Sequence, residues 1–347
     1  MGLRGYLIKR TINTIILIVF VICINYVIFE LMPGTQGVID AINQNPHLTG
    51  EAKTKYIFQE EQRLGLVCGG TADKPISCPA WSKFGKYFVD MVTFNFGTSY
   101  KSGHLVVEDM IQSGKLVNTL SLLGVSSVLA IVIGIFLGTL AAKKRGSFLD
   151  SFSVTASLTT FSLPTFWIGL MLILVFSFWL GWFPPALVAP ADWINPSKTP
   201  ANFWVSIPVR LQYLFLPALT LTLFFYGGYL LLTRATVMEA LSEDYITTAR
   251  AKGLSERTVL YKHALKNASL PLVTAAALQF GFLLSGAIIT ETVFSWDGLG
   301  FWLYTAINNK DMPVLQAMFF IIALCVIVAN FASDIVYGML DPRIKYD

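Results

Sequence analysis

The stretch that decides the fold is residues 116–142, which read LVNTLSLLGVSSVLAIVIGIFLGTLAA and are followed directly by Lys143-Lys144-Arg145. The stretch contains no ionisable side chain. A helix of about 20 apolar residues is long enough to cross the hydrocarbon core of a bilayer, which is roughly 30 Å thick. We therefore predict a transmembrane helix here, with its basic end at a membrane surface.

Five further runs of the chain have the same apolar character: 11–32, 151–180, 211–233, 271–293 and 314–340. Pro164 interrupts the second of these. Hydrophobic residues make up 54% of the 347 residues and charged residues 13%, where a soluble domain has about 25% charged residues. This composition excludes a disordered chain, a disulfide-dense secreted scaffold and an ordinary cytosolic enzyme. The predicted fold class is an all-α polytopic membrane protein with six transmembrane helices.

The distribution of Lys and Arg predicts the orientation. One side of the predicted membrane region carries 14 Lys and Arg against seven Asp and Glu, whereas the other side carries 11 of each. Because the loops richer in Lys and Arg stay in the cytoplasm, we predict that both termini are cytoplasmic in a multi-pass protein of the cell membrane. The small net charge of +4 is no signal for nucleic acid, so we expect membrane lipid, and no nucleic acid, as a partner.

This orientation divides the chain into three regions. Residues 1–32 are predicted to be an uncleaved signal anchor, residues 33–115 a small extracytoplasmic domain, and residues 116–347 the membrane core. Cys68 and Cys78 fall in the external region, where an oxidising space would permit a disulfide between them. No further ligands for a metal ion lie near them in the sequence, so no metal site is predicted.

Small residues recur at every fourth position in two of the spans. Such stripes allow two helix backbones to approach closely in lipid. We favour packing within this chain over a contact with another subunit. The stripes consist of Ala130, Gly134, Gly138 and Ala142, and of Ala277, Gly281 and Ser285.

The sequence carries none of the catalytic motifs that its composition would still allow. There is no glycine-rich phosphate loop, no His-Glu-x-x-His and no Gly-x-Ser-x-Gly. The three histidines lie in three separate polar segments, which argues against a three-histidine metal centre. We therefore expect that the chain is not an enzyme by itself and binds no cofactor.

Three ionisable residues lie within predicted spans: Glu30, Glu291 and Asp334. Glu291 comes 20 residues after the start of its span, which places it about 30 Å away, near the outer interface. The same arithmetic places Asp334 near the inner interface, and Glu30 closes the first span. We therefore favour interfacial anchoring or hydrogen bonds between helices over a role in ion transport, although buried charges in spans are often functional.

The most informative polar segment is residues 234–270, between the fourth and fifth spans. Within it, residues 243–257 read EDYITTARAKGLSER. The residues through Lys252 favour a helix, Gly253 supplies a helix end or tight turn, and Ser255 can cap a second helix that runs to Pro271. The pattern predicts a helix–turn–helix elbow on the inner face of the membrane. On charge alone, a basic loop lying against anionic lipid headgroups is the alternative.

At this elbow the chain resembles a known family, the permease subunits of ATP-driven ABC importers. The branch is the one that transports dipeptides, oligopeptides and nickel, and the resemblance is to its B subunit. Thr247 and Thr248 replace the usual Glu-Ala, and Pro271 comes about five residues late, as is usual in this branch. The motif, called the EAA loop, consists here of Asp244, Tyr245, Thr248, Ala249, Arg250, Ala251, Lys252, Gly253 and Leu254, followed by the loop-supporting residues His263, Asn267 and Pro271.

The resemblance extends over nearly the whole chain and is weakest in residues 33–94 and 181–210. Residues 291–300 match the segment after the fifth span, with Asp297 where the family usually has proline. Residues 308–314 and the C-terminal segment 334–343 match as well. What the resemblance implies is the type I ABC importer permease fold.

The same resemblance implies a mechanism and a set of partners. An extracytoplasmic binding protein delivers the substrate, this chain and a second, related permease form the path, and two cytoplasmic ATPase subunits bind ATP and Mg. The EAA loop docks on an ATPase, where Ala249 and Ala251 would permit close approach and Arg250 and Lys252 would pair with carboxylates. Peptides are the expected cargo, with nickel, glutathione and short oligosaccharides as alternatives.

The residues alone leave three other classes of function open. An ion-coupled carrier would need an ionisable group near the midplane, and an intramembrane hydrolase would need a nucleophile and base at matching depth. The sequence shows neither. A scaffold or receptor with an external binding domain is compatible with residues 33–115 but leaves the elbow unexplained.

Overall fold

The computed structural model describes residues 3–31, 50–64, 67–194, 203–282 and 287–340. The predicted external domain is thus described only from residue 50 onwards, with a gap at 65–66. Residues 341–347, which carry the end of the C-terminal resemblance, lie outside the described residues, as does the Glu30 side chain.

Helices dominate the described residues. The first part of the chain contains α1 (Leu3–Tyr26, continued by the π-helical turn Val27–Leu31), α2 (Gly50–Leu64), β1 (Val67–Thr71), β2 (Lys74–Ser77), α3 (Ala80–Val92) and α4 (Val106–Gln112). The second part contains α5 (Lys115–Lys143), α6 (Phe148–Ser162), α7 (Thr165–Leu172, continued by the π-helical Ile173–Trp179), a 3-10 turn (Ala191–Ile194) and α8 (Phe203–Leu241). The third part contains α9 (Asp244–Ala251), α10 (Glu256–Thr258, continued by the π-helical Val259–Ala264), α11 (Leu265–Phe282), α12 (Ile288–Val293), α13 (Leu299–Asn309) and α14 (Met312–Leu340).

Four helices of the described residues are long and apolar enough to cross a membrane: Ile8–Phe29, Lys115–Lys143, Trp204–Leu241 and Met312–Ala332. The pair α6 and α7 makes a fifth if it is one span, with a bend of 103° at the break that Pro164 imposes. The predicted span at 271–293 is not one described helix, because α11 ends at Phe282 and α12 begins at Ile288. The described residues therefore support a multi-pass helical membrane protein with four or five spans. The count of six spans stays a prediction.

The described residues are mostly helical, as predicted, and they also contain a short hairpin that the sequence analysis did not predict. Strands β1 and β2 form an antiparallel hairpin in which Thr71 pairs with Lys74 and Val67 with Ser77. A disulfide joins Cys68 and Cys78 across its open end. The strands are short and mostly exposed, so they lack the alternation of apolar and polar residues by which a strand is recognised in a sequence.

The fourth predicted span also ends later than its sequence suggests. The prediction placed the polar loop from Arg234 onwards, but α8 continues as one helix to Leu241 and contains Pro208 and Pro217. Arg234 lies inside this helix, where its side chain pairs with an acidic residue of another helix, as described below.

Small residues hold α5 and α8 together. Ala130 and Ala142 are buried, and a Cβ added to Gly138 would lie 2.6 Å from the carbonyl oxygen of Leu230 on α8. The prediction that the stripe in the second span packs within the chain is therefore confirmed. The packing of the second stripe, at residues 277–285, lies outside what the described residues show.

Glu291, on α12, connects the start of α5 with the start of α13. Its side chain is fully buried, Thr119 Oγ1 donates to its Oε1 at 2.7 Å, and the Phe301 N–H donates to its Oε2 at 3.0 Å. The Leu299 N–H in turn donates to Thr119 Oγ1 at 2.8 Å. Of the roles considered for Glu291, the structure contains the hydrogen bond between helices.

The segment before α4 is fixed to the start of α14. Asp311 is 2% exposed and accepts hydrogen bonds from Ser99 Oγ at 2.5 Å, from the Tyr100 N–H at 3.2 Å and from the Lys101 N–H at 3.3 Å. Three donors satisfy a carboxylate that burial would otherwise destabilise. The segment that precedes α5 is thus anchored to the body of membrane helices.

Candidate functional site

The loop between α8 and α11 forms a helix–turn–helix elbow, comprising residues 243–264. Helix α9 ends where Gly253 adopts a φ of +76°, a left-handed conformation that glycine reaches without steric cost. After the turn, Ser255 Oγ accepts a hydrogen bond from the Thr258 N–H at 3.3 Å and caps the second arm. Gly253 thus forms the predicted tight turn, and Ser255 caps the second helix as predicted.

The base of the elbow is buried in a core shared with two spans. Ile246 is 0% exposed and Ala249 is 5% exposed, and both face inward from α9 at a spacing of three residues. Ala249 is therefore part of the elbow's own core and does not lie on its outer face, where close approach to a partner was expected. The other buried members of this core are Ala142 from α5, Val237 and Ala240 from α8, and Val259, Leu260, Ala264 and Ala268 from the second arm and α11.

The outer face of the elbow presents the rest of the motif. Tyr245 and Leu254 are 37% and 38% exposed, which leaves one large apolar side chain in the first turn of α9 and one just after its C-terminal end. Their neighbours on this face are exposed as well: Asp244, Thr248, Arg250, Ala251, Lys252 and Gly253. Exposed apolar side chains among charged ones are compatible with a protein–protein contact.

Arg250 is paired within the chain. Its Nε and a terminal nitrogen donate to the two carboxylate oxygens of Glu256 at 2.9 Å and 3.2 Å, which bridges the turn at Gly253. Both side chains are largely exposed, and such a pair contributes only about 0–1 kcal/mol. The pair therefore connects the two arms of the elbow but adds little to its stability.

One of the three supporting residues lies on the second arm of the elbow, and the other two lie on α11. His263 is half-buried in the π-helical segment, and Asn267 and Pro271 are exposed on α11. The expectation that the second helix stops at Pro271 is wrong, because α11 continues to Phe282 with Pro271 inside it. Pro271 has no N–H to donate to the carbonyl of Asn267, and the helix tolerates this single missing bond in its second turn.

An ion pair next to the elbow was missed by the sequence analysis. Arg234 Nε and a terminal nitrogen donate to the two oxygens of Asp150 at 2.6 Å and 2.9 Å, and the Gly146 N–H donates to the same carboxylate at 2.9 Å. The Asp150 side chain is 5% exposed. The pair joins the first turn of α6 to α8 one turn before Val237 of the elbow core. The sequence did contain one indication of this pair. Arg234 directly follows a long apolar run, and an arginine that is buried there needs an acidic partner.

No group of three or more His, Cys, Asp or Glu side chains within the described ranges has the arrangement of a metal site. The elbow itself offers no nucleophile paired with a base. The elbow therefore has the features of a contact surface, namely exposed charged and apolar side chains above a buried core.

These features define a polytopic helical membrane protein with a structured elbow whose base is built from two of its spans. Residues 131–346 match the family described as binding-protein-dependent transport system inner membrane component, and the chain belongs to this family. The predicted membership of the importer permeases is therefore confirmed.

Curated relatives cover the whole chain. The dipeptide transport system permease protein of Alkalihalophilus pseudofirmus is 33% identical over 355 aligned positions that cover 99% of both chains. The oligopeptide transport system permease protein of Bacillus subtilis is 33% identical, with coverage of 99% of this chain and 100% of its own. The glutathione transport system permease protein of Escherichia coli O1:K1 is 34% identical over 99% of both chains.

Proposed function

We propose that this chain is a transmembrane permease subunit of an ATP-driven importer of dipeptides and oligopeptides. The observation that carries the proposal is the elbow, which exposes most of the residues that resemble the coupling motif and whose buried base packs against α5 and α8. Family membership and the peptide permeases among its relatives support the same function. The chain has no proposed catalytic role; ATP and Mg would bind to partner subunits.

The proposed assembly has four kinds of partner. A second, homologous permease completes the path, two ATPases supply energy, an extracytoplasmic binding protein delivers the peptide, and membrane lipid surrounds the helices. In this arrangement both termini and the elbow face the cytoplasm, and residues 33–115 face outward. The bias of Lys and Arg towards the elbow side supports this orientation.

The coupling step follows from the geometry of the elbow. An ATPase that contacts Tyr245, Leu254 and their charged neighbours would press on a short helix whose inner side, at Ile246 and Ala249, is packed without exposed surface. Close-packed cores transmit displacement because they have little free volume. Movement of the ATPase would therefore shift the ends of α5 and α8 together with the elbow.

Glutathione is the second cargo to test, because a glutathione permease is as similar to this chain as the peptide permeases are. The two cargoes differ in one respect that an assay can use, since glutathione carries a γ-glutamyl linkage and a thiol. Stimulation of ATP hydrolysis by dipeptides and not by glutathione, with the binding protein present, is the expected result.

The decisive experiment changes Gly253 to aspartate in the full complex reconstituted in liposomes. The matched control is Gly181→Asp, because Gly181 also has a left-handed conformation, with a φ of +65°, and open space around its Cβ position. Gly181 follows the π-helical end of α7, outside the elbow. We expect peptide-stimulated ATP hydrolysis to fall about tenfold in Gly253→Asp, as loss of about 1.4 kcal/mol of contact energy would give, and to stay near normal in the control.

Equal stimulation in both variants would overturn the role of the elbow. An ion-coupled carrier is distinguished by a different result, namely uptake that persists without the ATPases and collapses when the ion gradient is dissipated. Because unfolding would also abolish activity, both variants must first co-purify with the second permease in equal yield.

A further inference from the structure

A groove with a volume of about 330 Å³ lies between the N-terminal part of α1 and the C-terminal part of α14. Under the proposed orientation, this part of both helices is near the cytoplasmic membrane surface, on the same side as the elbow. Its polar lining consists of Arg10, Asn13, Thr14, Asn330 and Asp334. Neither the coupling site nor the proposed transport function uses these residues. The volume is at the lower end of the range for small-molecule sites, about 300–1,000 Å³.

The groove changes from charged to apolar along its length. Arg10 and Asp334 form an ion pair of 2.8 Å, Asn13 and Asn330 are exposed further along, and Leu17 and Ile327 line the far end. Because α1 and α14 run antiparallel, Leu17 and Ile327 each lie seven residues, about 10 Å, deeper in the membrane than the ion pair. The lining therefore has the same gradient of polarity as a phospholipid.

The depth of the ion pair fits a headgroup. Asp334 lies about 30 Å along α14 from the opposite interface, and Arg10 directly precedes the apolar part of α1. Exposed asparagine amides at the next turn would meet hydrocarbon without a polar partner, which is unfavourable. A bound headgroup supplies such partners.

We propose that the groove between α1 and α14 binds a zwitterionic phospholipid with a primary amine, phosphatidylethanolamine, through the juxtaposed Arg10, Asn13, Asn330 and Asp334. The phosphate lies at the Arg10 guanidinium, the ammonium donates to the Asp334 carboxylate, and one acyl chain follows Leu17 and Ile327. A phosphate is the anion that pairs with a guanidinium and an ammonium is a cation that pairs with a carboxylate, so the two charges of this headgroup match the two charges of the groove.

The charge balance selects this headgroup over its competitors. The lining has one cation and one anion, so an anionic headgroup such as phosphatidylglycerol would meet the Asp334 carboxylate without compensation. Phosphatidylcholine has the same net charge, but its quaternary ammonium has no N–H to donate. Recognition therefore depends on both net charge and hydrogen-bond donation.

The test measures the lipid retained by the purified full-length protein. The chain is purified in mild detergent with its partner subunits, washed with detergent lacking lipid, and its residual lipids are quantified by mass spectrometry. We expect about one phosphatidylethanolamine per chain. Asn13→Leu combined with Asn330→Leu should reduce this amount about tenfold while keeping the ion pair, and Arg10→Gln should have a similar effect.

The matched control is Lys9→Gln, because Lys9 is an exposed base at the same depth that does not line the groove. Retention in this variant should equal that of the unchanged protein. Equal loss in Lys9→Gln, or equal retention of phosphatidylglycerol or phosphatidylcholine, would overturn the proposal. So would efficient disulfide formation between Asn13→Cys and a cysteine introduced into the second permease, since the groove would then be a subunit interface. None of these outcomes depends on which cargo is transported.

Discussion

Replacing Gly138 with alanine tests whether α5 and α8 are held together by direct backbone contact. The added Cβ would lie 2.6 Å from the carbonyl oxygen of Leu230 and 2.7 Å from the Cβ of Thr233. The two helices would have to separate, and overpacking of this kind costs about 1–3 kcal/mol. The higher helix propensity of alanine returns about 1 kcal/mol. We expect the free energy of unfolding, from denaturant titration in detergent, to fall by up to about 2 kcal/mol.

Gly124→Ala is the matched control for this prediction, because Gly124 lies in the same helix and no atom comes within 4 Å of its Cβ position. This variant should gain about 1 kcal/mol from helix propensity alone. The difference between the two variants removes the propensity effect and isolates the clash. If Gly138→Ala is as stable as Gly124→Ala, the close approach of α5 and α8 is wrong.

Three further predictions concern the contacts that join other parts of the chain. Arg234→Leu leaves the buried Asp150 carboxylate unpaired and should cost about 3–5 kcal/mol in the same titration; the double variant with Asp150→Leu should regain most of this loss, and a neutral single variant would contradict the pairing. Thr119→Val removes a donor from the buried Glu291 and should cost about 1–3 kcal/mol, whereas no measurable change would mean that this bond contributes little. Cys68→Ser opens a small loop worth about 3 kcal/mol and should speed proteolysis of the hairpin alone; cleavage at an unchanged rate would show that the disulfide does not order it.

The features that the sequence predicted well are those set by local chemistry. The predicted span 116–142 differs by one residue at each end from α5, because its apolar run has sharp polar borders. The turn of the elbow was predicted because a left-handed glycine and a capping serine act within a few residues of each other. Both signals can be read without knowledge of the fold.

The features that were not predicted depend on residues far apart in the chain. Asp150 and Arg234 are 84 residues apart, and Thr119 and Glu291 are 172 residues apart. The length and apolar character of the runs assigned α5 and its neighbours to the membrane, but they carry no information about which polar side chains come into contact. The inward orientation of Ala249 was missed for the same reason, since the outer face of a short helix is defined only by what its inner face contacts.

Under the proposed function, α5 is the element that connects the two ends of the transport path in this chain. Ala142 lies in the elbow core, and Thr119 at the other end bonds the buried Glu291. Ala142 lies 23 residues after Thr119, which corresponds to about 35 Å of helix that contains no proline. A straight helix tied at both ends cannot shift at the elbow without either tilting or straining the Thr119–Glu291 contact. Since that carboxylate also accepts from Phe301 of α13, a displacement produced by an ATPase would reach the opposite membrane face through α5 and the start of α13.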